Sequence, residues 1–443
     1  MANYISKRGA NVAPSYATTD DLPASTEVGD LVFVGGQLGI AVSASGYQTC
    51  DKTDVVLPLD WTATTQQANL AISDASSGDE IGYSMAIDGD TLVVGARYQD
   101  TGGTNAGAAY VFTRSGTTWS QQAKLTASDA QSNNNFGFSV SIDGDTVAVL
   151  ASNADAATSA IAAYVFTRSG TSWSQQAKLV PSSAQSLDYF PAKISISSDT
   201  VIVGGWGKNS AAANVSAVYV FTRSGTSWSQ QAVLTASDEQ AYDGFGRGVG
   251  ISSDTVVVGA GYEDTGGTNV GAAYVFTRSG TSWSQQAKIQ ASDAQANDFF
   301  GYSVSIDGDT MVVGGYSEDT GGSNAGAAYV FTRSGTSWSQ QAKVTASDAQ
   351  AHDNFGFSVS IDGDTIVAAA PEEDTEGSNA GAAYVFTRSG TTWTEAKKIV
   401  ASDAQQNGKF GFSVDISSNT LVVGAHKSWW ENNTGKAYTF IAG

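Results

Sequence analysis

The first residues whose type and spacing could give them a chemical role are pairs of aspartates separated by one glycine. Asp88-Gly89-Asp90 recurs in three later copies, which begin at Asp143, Asp307 and Asp362. Such carboxylates could hold calcium, which takes about six to eight oxygen ligands from a loop. Each pair, however, lies between alternating apolar runs, where Asp-Gly signals a tight hairpin. Because three corresponding positions carry Ser197-Ser198, Ser252-Ser253 and Ser418-Asn419, we interpret the pairs as turns and predict no metal site.

No pattern of nucleophile, acid and base stands out elsewhere. A second acidic set precedes the opening aromatic residue of four repeated segments, at Asp188, Asp243, Asp298 and Asp353. A cation could bind there, but no other sequence feature supports one. The two histidines, His352 and His426, have no nucleophile pattern beside them, and Cys50 has no partner of that kind. The GGTNAG segments lack the terminal Gly-Lys-Ser/Thr of a phosphate loop. We therefore predict no catalytic residues, no cofactor and a non-enzymatic function.

The elements that carry these residues are copies of one unit of about 55 residues, which marks a repeat architecture. Its opening pair starts at Ile81, Phe136, Phe190, Phe245, Phe300, Phe355 and Phe410. Within residues 300–354, four short runs are separated by an Asp-Gly turn, a Gly-rich loop and a Ser-Gly turn. Four antiparallel strands with short turns are typical of a propeller blade. The sequence therefore predicts an all-β, seven-bladed β-propeller.

The two ends of the repeat array complement each other. The seventh repeat stops after its third strand, at Ala437-Tyr438-Thr439-Phe440. The missing fourth strand precedes the first repeat, because residues 66–74 match residues 121–129 at an offset of 55. We predict that the strand 66–74 completes the last blade, which would remove the open edges of a linear array.

Two runs of the repeat resemble a known family. GFSVSIDGDT at residues 137–146 and GAAYVFTRSGTSWSQQAK at residues 271–288 are similar to the FG-GAP repeat of bacterial and integrin-type β-propellers. The resemblance covers roughly residues 61–443. It implies a seven-bladed propeller that is usually extracellular and adhesive. Integrin-type repeats carry a DxDxDG calcium loop, which this chain lacks, so calcium binding is not implied.

Composition narrows the classes of partner. The formal net charge is −21, whereas a nucleic-acid-binding protein would present a basic face. We expect no nucleic-acid binding and no membrane insertion, since the chain has no apolar stretch of about 18 residues. The first residues lack the apolar core of a secretory signal peptide. With one cysteine, the chain forms no internal disulfide.

The first 60 residues are not part of the repeat. The run 29–42 predicts a β-hairpin. Residues 16–34 resemble a short module of virion and tail proteins of marine phages, which implies attachment to other virion proteins. The alternative is an ordinary strand pair packed on the propeller. We thus divide the chain into an attachment segment, 1–60, and a propeller, 61–443.

Blade topology predicts two different faces. The Asp-Gly and Arg-Ser-Gly turns share the bottom face, and the segment 1–60 is expected below it. The loops between strands two and three and between successive blades share the top face, where the repeats differ most. Loops on a rigid scaffold carry function, and aromatic residues anchor ligands. The candidates for ligand binding are Trp206, Trp429, Trp430, Tyr98, Tyr262 and Tyr316.

Other interpretations of the aromatic residues remain open. The three irregular tryptophans could instead fill the loop layer or contact a neighbouring subunit. Regular tryptophans recur once per blade and are predicted to be structural, as are the copies of Tyr110. The regular tryptophans are Trp119, Trp173, Trp228, Trp283, Trp338 and Trp393.

Taken together, these patterns favour a phage virion structural protein, such as a fibre, knob or tail component. It would be present in many copies and would display an adhesive head to host-surface glycans or proteins. The localisation would be the virion or the extracellular space. The alternative is a bacterial extracellular adhesin or matrix protein. A propeller enzyme such as a glycan hydrolase or lyase would need clustered acids or a His–Tyr pair around the central channel.

Overall fold

The computed structural model describes residues 59–155, 160–182, 193–205, 216–426 and 434–443, and the backbone of five strands nearer the N-terminus. The chain divides into two compact units, residues 1–59 and 60–443. The first unit contains an antiparallel sheet in the order β2-β1-β3-β4-β5. Its strands are β1 Tyr4–Ile5, β2 Val12–Ala13, β3 Leu31–Val34, β4 Gln37–Ser43 and β5 Gly46–Thr49. The predicted hairpin is confirmed by the antiparallel pairing of β3 with β4.

The second unit consists of seven antiparallel sheets of four strands each, which confirms the predicted blades. Blade one contains β7 Ile81–Asp88, β8 Thr91–Ala96, β9 Ala108–Ser115 and β10 Thr118–Leu125. Blade two contains β11 Phe136–Asp143, β12 Thr146–Asp155, β13 Ala160–Ser169 and β14 Ser172–Leu179. Blade three contains β15 Ile194–Ser197, β16 Thr200–Gly205, β17 Ala217–Ser224 and β18 Ser227–Leu234.

The remaining blades repeat this order. Blade four contains β19 Phe245–Ser252, β20 Thr255–Ala260, β21 Ala272–Ser279 and β22 Ser282–Ile289. Blade five contains β23 Ser303–Asp307, β24 Thr310–Gly315, β25 Ala327–Ser334 and β26 Ser337–Val344. Blade six contains β27 Ser358–Asp362, β28 Thr365–Ala370, β29 Ala382–Ser389 and β30 Thr392–Ile399. Blade seven contains β31 Phe410–Ser417, β32 Thr420–Ala425, β33 Lys436–Ile441 and, from the start of the unit, β6 Thr65–Asn69.

Strand β6 closes the ring as predicted, but it is shorter than the predicted stretch 66–74. It pairs with β33, with Asn69 opposite Tyr438 and Thr65 opposite Ile441. The following residues enter the loop to blade one, where Asp74 accepts a hydrogen bond from the Tyr110 hydroxyl at 2.8 Å. The segment 65–74 thus completes blade seven and also contacts blade one.

The hydrophobic core lies between adjacent blades. Apolar side chains of one blade pack against those of the next, as Val111 of β9 packs near Val149 of β12. The opening phenylalanine of a repeat is buried here, and the Phe136 ring meets Tyr164 and Phe166 edge-on at 5.5 and 6.0 Å. The second strand of each blade is buried on both faces, as the burial of all of β8 shows. In the part of the chain that the structure describes, no helix is long and apolar enough to cross a membrane.

Each outer strand is tied to the preceding blade. The indole N–H of Trp119 donates to Gln67 at 2.9 Å, and the five other regular tryptophans repeat this bond at 2.7–2.9 Å. An arginine of the same blade stacks on each indole; the Arg168 guanidinium lies 5.2 Å from the Trp173 ring. These tryptophans are therefore structural, as predicted.

The two faces of the propeller are confirmed by the loops that meet on each. On the top, Asn133 N–H of a blade-to-blade loop donates to the Thr104 carbonyl of the preceding strand-two-to-three loop at 2.8 Å. On the bottom, Arg168 binds Asp145 of its own blade and Thr91 of the preceding one. The bottom turns are thus engaged in contacts within and between blades.

The Asp-Gly turns give a stability prediction. Ser253 occupies the glycine position of its turn with a φ of 53°, where Gly308 of the next blade has 55°. Because a left-handed conformation strains an L-residue, Ser253→Gly should raise the free energy of unfolding by about 0.5–1 kcal/mol. Urea denaturation measures this. The matched variant Gly308→Ser should lower stability by a similar amount; equal stability of all three proteins would contradict the prediction.

Candidate functional site

The seven inner strands line a central channel, and residues from each of them border a cavity of about 200 Å³. In five repeats the third residue is aromatic; four of these rings border the cavity, and the fifth, Phe138, packs against Tyr83 at 5.2 Å. Together with Arg247, the residue at the same repeat position in blade four, these rings form what we call the collar. The collar consists of Tyr83, Phe138, Arg247, Tyr302, Phe357 and Phe412.

The collar rings contact one another in series. Tyr83 lies 5.2 Å from Phe138 and 5.1 Å from Phe412, measured between ring centroids. Phe357 continues the series at 5.4 Å from Phe412 and 5.1 Å from Tyr302. Arg247 extends it, because its guanidinium lies 3.9 Å from the centroid of Tyr302. The channel is thus narrowed by a nearly continuous band of π faces and edges.

A second arginine stacks on the collar from the top. The Arg97 guanidinium lies 3.8 Å from the Tyr83 centroid and 5.3 Å from that of Phe138. Arg97 is buried and forms an ion pair with buried Glu80. Burial raises the pKa of Tyr83 to about 12, so this phenol stays neutral in the physiological range.

His426 occupies the repeat position of Arg97 in blade seven. Its imidazole lies 4.7 Å from the Phe412 ring and 5.4 Å from Tyr83, and its Nε2 is 3.6 Å from Glu80 Oε1. Burial, reinforced by the charges of Arg97 and Lys409, lowers the pKa of His426 to about 3. The imidazole is therefore neutral at pH 7, so His426 packs against the collar rings rather than acting as a proton shuttle.

The next residue of each inner strand forms a polar layer in the channel. Its described members are Ser84, Ser139, Lys193, Gly248, Ser303, Ser358 and Ser413. The hydroxyls bond to the neighbouring blade: Ser84 Oγ accepts from Val140 N–H at 3.0 Å, and Ser303 Oγ donates to the Gly356 carbonyl at 2.7 Å. Lys193 is the exception in this layer. Burial, reinforced by the charge of Arg247, lowers the pKa of its ammonium to about 8.

The three predicted tyrosines lie around the collar, half-buried rather than fully exposed. The Tyr316 ring packs 4.4 Å from Tyr302 and stacks on Phe299 at 5.2 Å. Tyr262 meets the other side of Phe299 at 5.3 Å. The ring of Tyr98 lies 4.5 Å from the Arg97 guanidinium. The predicted Trp206, Trp429 and Trp430 lie outside the described residues.

Sequence reasoning missed the collar and the Lys193 layer. The signal was present as an aromatic residue two positions after the opening residue in five repeats, broken by a cation in blade four. Arg97 and His426, which occupy the same repeat position as the predicted Tyr316, were also missed. The contacts between these residues become apparent only when the blades are arranged around a common axis.

Copies of Tyr110 are packed between blades, as predicted, and form part of a repeated polar contact. Tyr164 is fully buried and donates to Asp129 of the preceding loop at 2.8 Å, while Lys178 binds the other oxygen of that carboxylate at 2.6 Å. The same contacts join Asp348 to Tyr384 and Lys398. This ion pair lowers the pKa of Asp348 despite its partial burial. The contact is structural, because it joins successive blades.

Buried carboxylates face each other at the top of blades four to six. Burial, together with the charge of Glu318, raises the pKa of Asp298 to about 6. Burial and the charge of Glu373 raise the pKa of Asp353 to about 6 as well. Lys343 binds Glu318 at 2.9 Å. Across the described ranges, no group of three or more His, Cys, Asp or Glu side chains could hold a metal ion.

The same position in blade two is Asn134, which provides a test of Asp298. Asn134 Oδ1 accepts the Gln131 N–H at 2.6 Å, just as Asp298 accepts the Gln295 N–H at 2.7 Å. Because the folded-state pKa of Asp298 lies above its unfolded value, wild-type stability should fall as pH rises from about 4 through 6. Asp298→Asn should therefore be more stable than wild type at pH 7, by roughly 1–2 kcal/mol.

Urea unfolding at pH 4 and pH 7 measures this difference. Most of the gain of Asp298→Asn should disappear at pH 4, where the wild-type carboxyl is protonated in the folded state and close to half protonated in the unfolded state. Asp293→Asn serves as the control, since its ion pair with Lys343 lowers the pKa of Asp293 and its loss should destabilise at pH 7. A destabilised Asp298→Asn at pH 7 would show that the ionised carboxylate is favourable there.

Comparison with known proteins gives the family. A model of the FG-GAP repeat matches seven consecutive segments, at residues 64–112, 119–166, 173–221, 228–276, 283–331, 338–386 and 393–440. These segments cover well over half of the chain. The chain belongs to the FG-GAP repeat family. A comparison with curated proteins found none that matches it.

The FG-GAP propeller is typically a non-catalytic binding fold, which agrees with the arrangement of this site. Together with Arg97 and His426, the collar offers aromatic faces, two stacked guanidinium groups and a neutral imidazole. Such groups recognise ligands by stacking, cation–π contact and charge. This FG-GAP propeller therefore presents an adhesive or binding surface on a ring whose blades are locked to one another.

Proposed function

We propose that this FG-GAP propeller is the adhesive head of a non-enzymatic phage virion structural protein, a fibre, knob or tail component. Residues 1–60 would attach it to other virion proteins, and the top-face loops would bind a host-surface glycan or protein. Its localisation would be the virion, and so extracellular after release. Many copies on one particle would multiply a weak single-site affinity.

The observation that carries this proposal is the difference between the two faces of the ring. The bottom turns repeat nearly unchanged around the ring and are engaged in contacts between blades, such as Arg168 with Thr91. The top face instead gathers Tyr98, Tyr262 and Tyr316 around the collar and carries the loops that vary most. A rigid ring with one variable, aromatic-rich face suits recognition rather than turnover.

Immunogold electron microscopy of a producer culture and its lysate tests the virion role. Gold on phage particles is the expected result, and its position on head or tail would separate capsid decoration from receptor binding. Gold on cell surfaces or matrix, with unlabelled particles, would overturn the proposal in favour of a bacterial extracellular adhesin. A variant lacking residues 1–60 should lose incorporation into particles while its propeller stays folded.

The loop site is tested by binding of the purified protein to host cells. Trp429→Ala and Trp430→Ala should each weaken binding at least about tenfold, because aromatic anchors contribute roughly 2 kcal/mol or more. Thr281→Ala, an exposed change in a bottom turn, is the matched control and should bind like wild type. Unchanged binding by both tryptophan variants would exclude them from the adhesive surface.

A further inference from the structure

Two neighbouring blades depart from the repeat at the channel, and both departures introduce a cation. Lys193 of blade three stands where the other described strands carry serine or glycine. Arg247 of blade four stands where five other blades carry an aromatic ring. Since serine and glycine leave room in the polar layer, the Lys193 side chain borders an open cavity rather than a packed core.

The charge balance of the channel is opposite to that of the whole chain. The chain has a formal net charge of −21, yet the described residues that line the cavity include two cations and no carboxylate. In the part of the chain that the structure describes, the Lys193 ammonium forms no hydrogen bond or ion pair, and the nearby charge of Arg247 disfavours its charged form. Holding the Lys193 ammonium beside a second cation in a confined space is costly unless an anion compensates its charge.

Hydrogen-bond donors surround the same space. The hydroxyl oxygens of Ser84, Ser139 and Ser358 each accept a backbone N–H of the next blade, at 3.0, 3.2 and 3.2 Å. A hydroxyl that accepts such a bond still has its own O–H to donate. The layer therefore offers donors beside two cations, which is the donor set that binds sulfate and phosphate groups.

The collar favours such binding because it orients one of the two cations and makes the channel less polar. The Arg247 guanidinium is held against Tyr302, at 3.9 Å, so its orientation is fixed before a ligand arrives. The surrounding aromatic rings lower the local polarity, which strengthens charge–charge attraction. A cavity of about 200 Å³ is smaller than a typical pocket for a drug-sized ligand, roughly 300–1,000 Å³, so it suits a small ion or one substituent of a larger molecule.

We infer that the central channel binds a sulfate or phosphate group between Lys193 and Arg247, with the hydroxyls of Ser84, Ser139 and Ser358 as further donors. The group could be a free inorganic ion or an ester on a saccharide that enters from the collar. This site is separate from the top-face loops, and it does not depend on the adhesive role proposed for them.

Isothermal titration calorimetry of the full-length protein tests the site, with sodium sulfate and sodium phosphate as probes and sodium chloride at equal ionic strength as reference. One saturable site per chain is expected for at least one oxyanion. Absence of saturable binding by folded wild-type protein, together with no binding of a sulfated or a phosphorylated monosaccharide, would overturn the inference. Tighter binding of a saccharide ester would identify an esterified ligand, and equal or tighter binding of the inorganic ion would identify the free anion.

Two variants restore the repeat pattern and so remove one cation each with little risk to folding. Lys193→Ser and Arg247→Tyr introduce residues that other blades already carry at these positions. Each should weaken oxyanion binding at least about tenfold, while thermal unfolding confirms an intact fold. Lys397→Gln is the control, since Lys397 lies on the outer strand β30 and binds the Thr62 carbonyl. Equal weakening by Lys397→Gln would indicate nonspecific attraction to surface charge and would overturn the site.

Discussion

Replacing Gly271 by alanine is expected to destabilise the propeller by at least about 4 kcal/mol, among the largest effects of a single substitution. Gly271 has a φ of 85° and forms a parallel bridge with Phe300 of the next blade. A Cβ at this position would lie 2.0 Å from the Phe300 carbonyl oxygen and 2.6 Å from its backbone nitrogen. Because both atoms belong to the backbone, the clash is relieved only by separating the blades.

The control for this substitution is Gly280→Ala in a bottom turn. Gly280 also has a positive φ, 62°, but a Cβ at this position would have no neighbouring atom within 4 Å. It should therefore show only the conformational cost of a left-handed residue, about 1–2 kcal/mol. Urea unfolding of the two variants separates the contact between blades from the backbone cost. Similar losses in both would show that the close approach to Phe300 is readily relaxed.

Deletion of residues 60–74 is expected to abolish the monomeric, cooperatively folded propeller. The deletion removes β6, whose hydrogen bonds close blade seven, and it removes Trp61, which is 1% exposed. It also removes Gln67 and Asp74, the partners of Trp119 and Tyr110 in blade one. The edge of β33 would then lack its partner strand and be open to association with other chains.

Size-exclusion chromatography with light scattering, together with urea unfolding, measures the outcome. The deleted protein should form oligomers or aggregates and show no sharp unfolding transition. Deletion of residues 1–59 is the control, because the described cores of the propeller begin at Trp61. A monomeric protein with a wild-type transition after removal of residues 60–74 would show that ring closure is dispensable.

The repeat made much of the architecture predictable from the sequence. Seven copies with nearly constant spacing determine the number of blades and the order of strands. The same spacing predicts the closure by an N-terminal strand. Residues that make the same structural contact in successive blades were also interpreted correctly, as Trp119 and Tyr110 illustrate. Such residues act between neighbours, so two adjacent repeats already contain the information.

The collar could not be found in this way, because it depends on the whole ring. One repeat does not reveal that Tyr83 and Phe357 approach the same axis through Phe412. Lys193 is the fourth residue of its repeat, whereas Arg247 is the third residue of the next one. A comparison of aligned repeat positions therefore does not show that the two cations belong together. Ser253 shows a different limit, since serine at the glycine position of a turn conceals a left-handed backbone.

The closure of the last blade by β6 has a consequence for how such a gene can change. Near-identical copies, such as SGTSWSQQA at residues 169–177 and 279–287, invite unequal recombination that adds or deletes a whole repeat. In a linear array such a change would only alter the length. Here it would change the angle that each blade must span, and the collar rings would no longer meet around one axis. Inheritance should therefore conserve the number of repeats while single substitutions accumulate in the top loops and the channel.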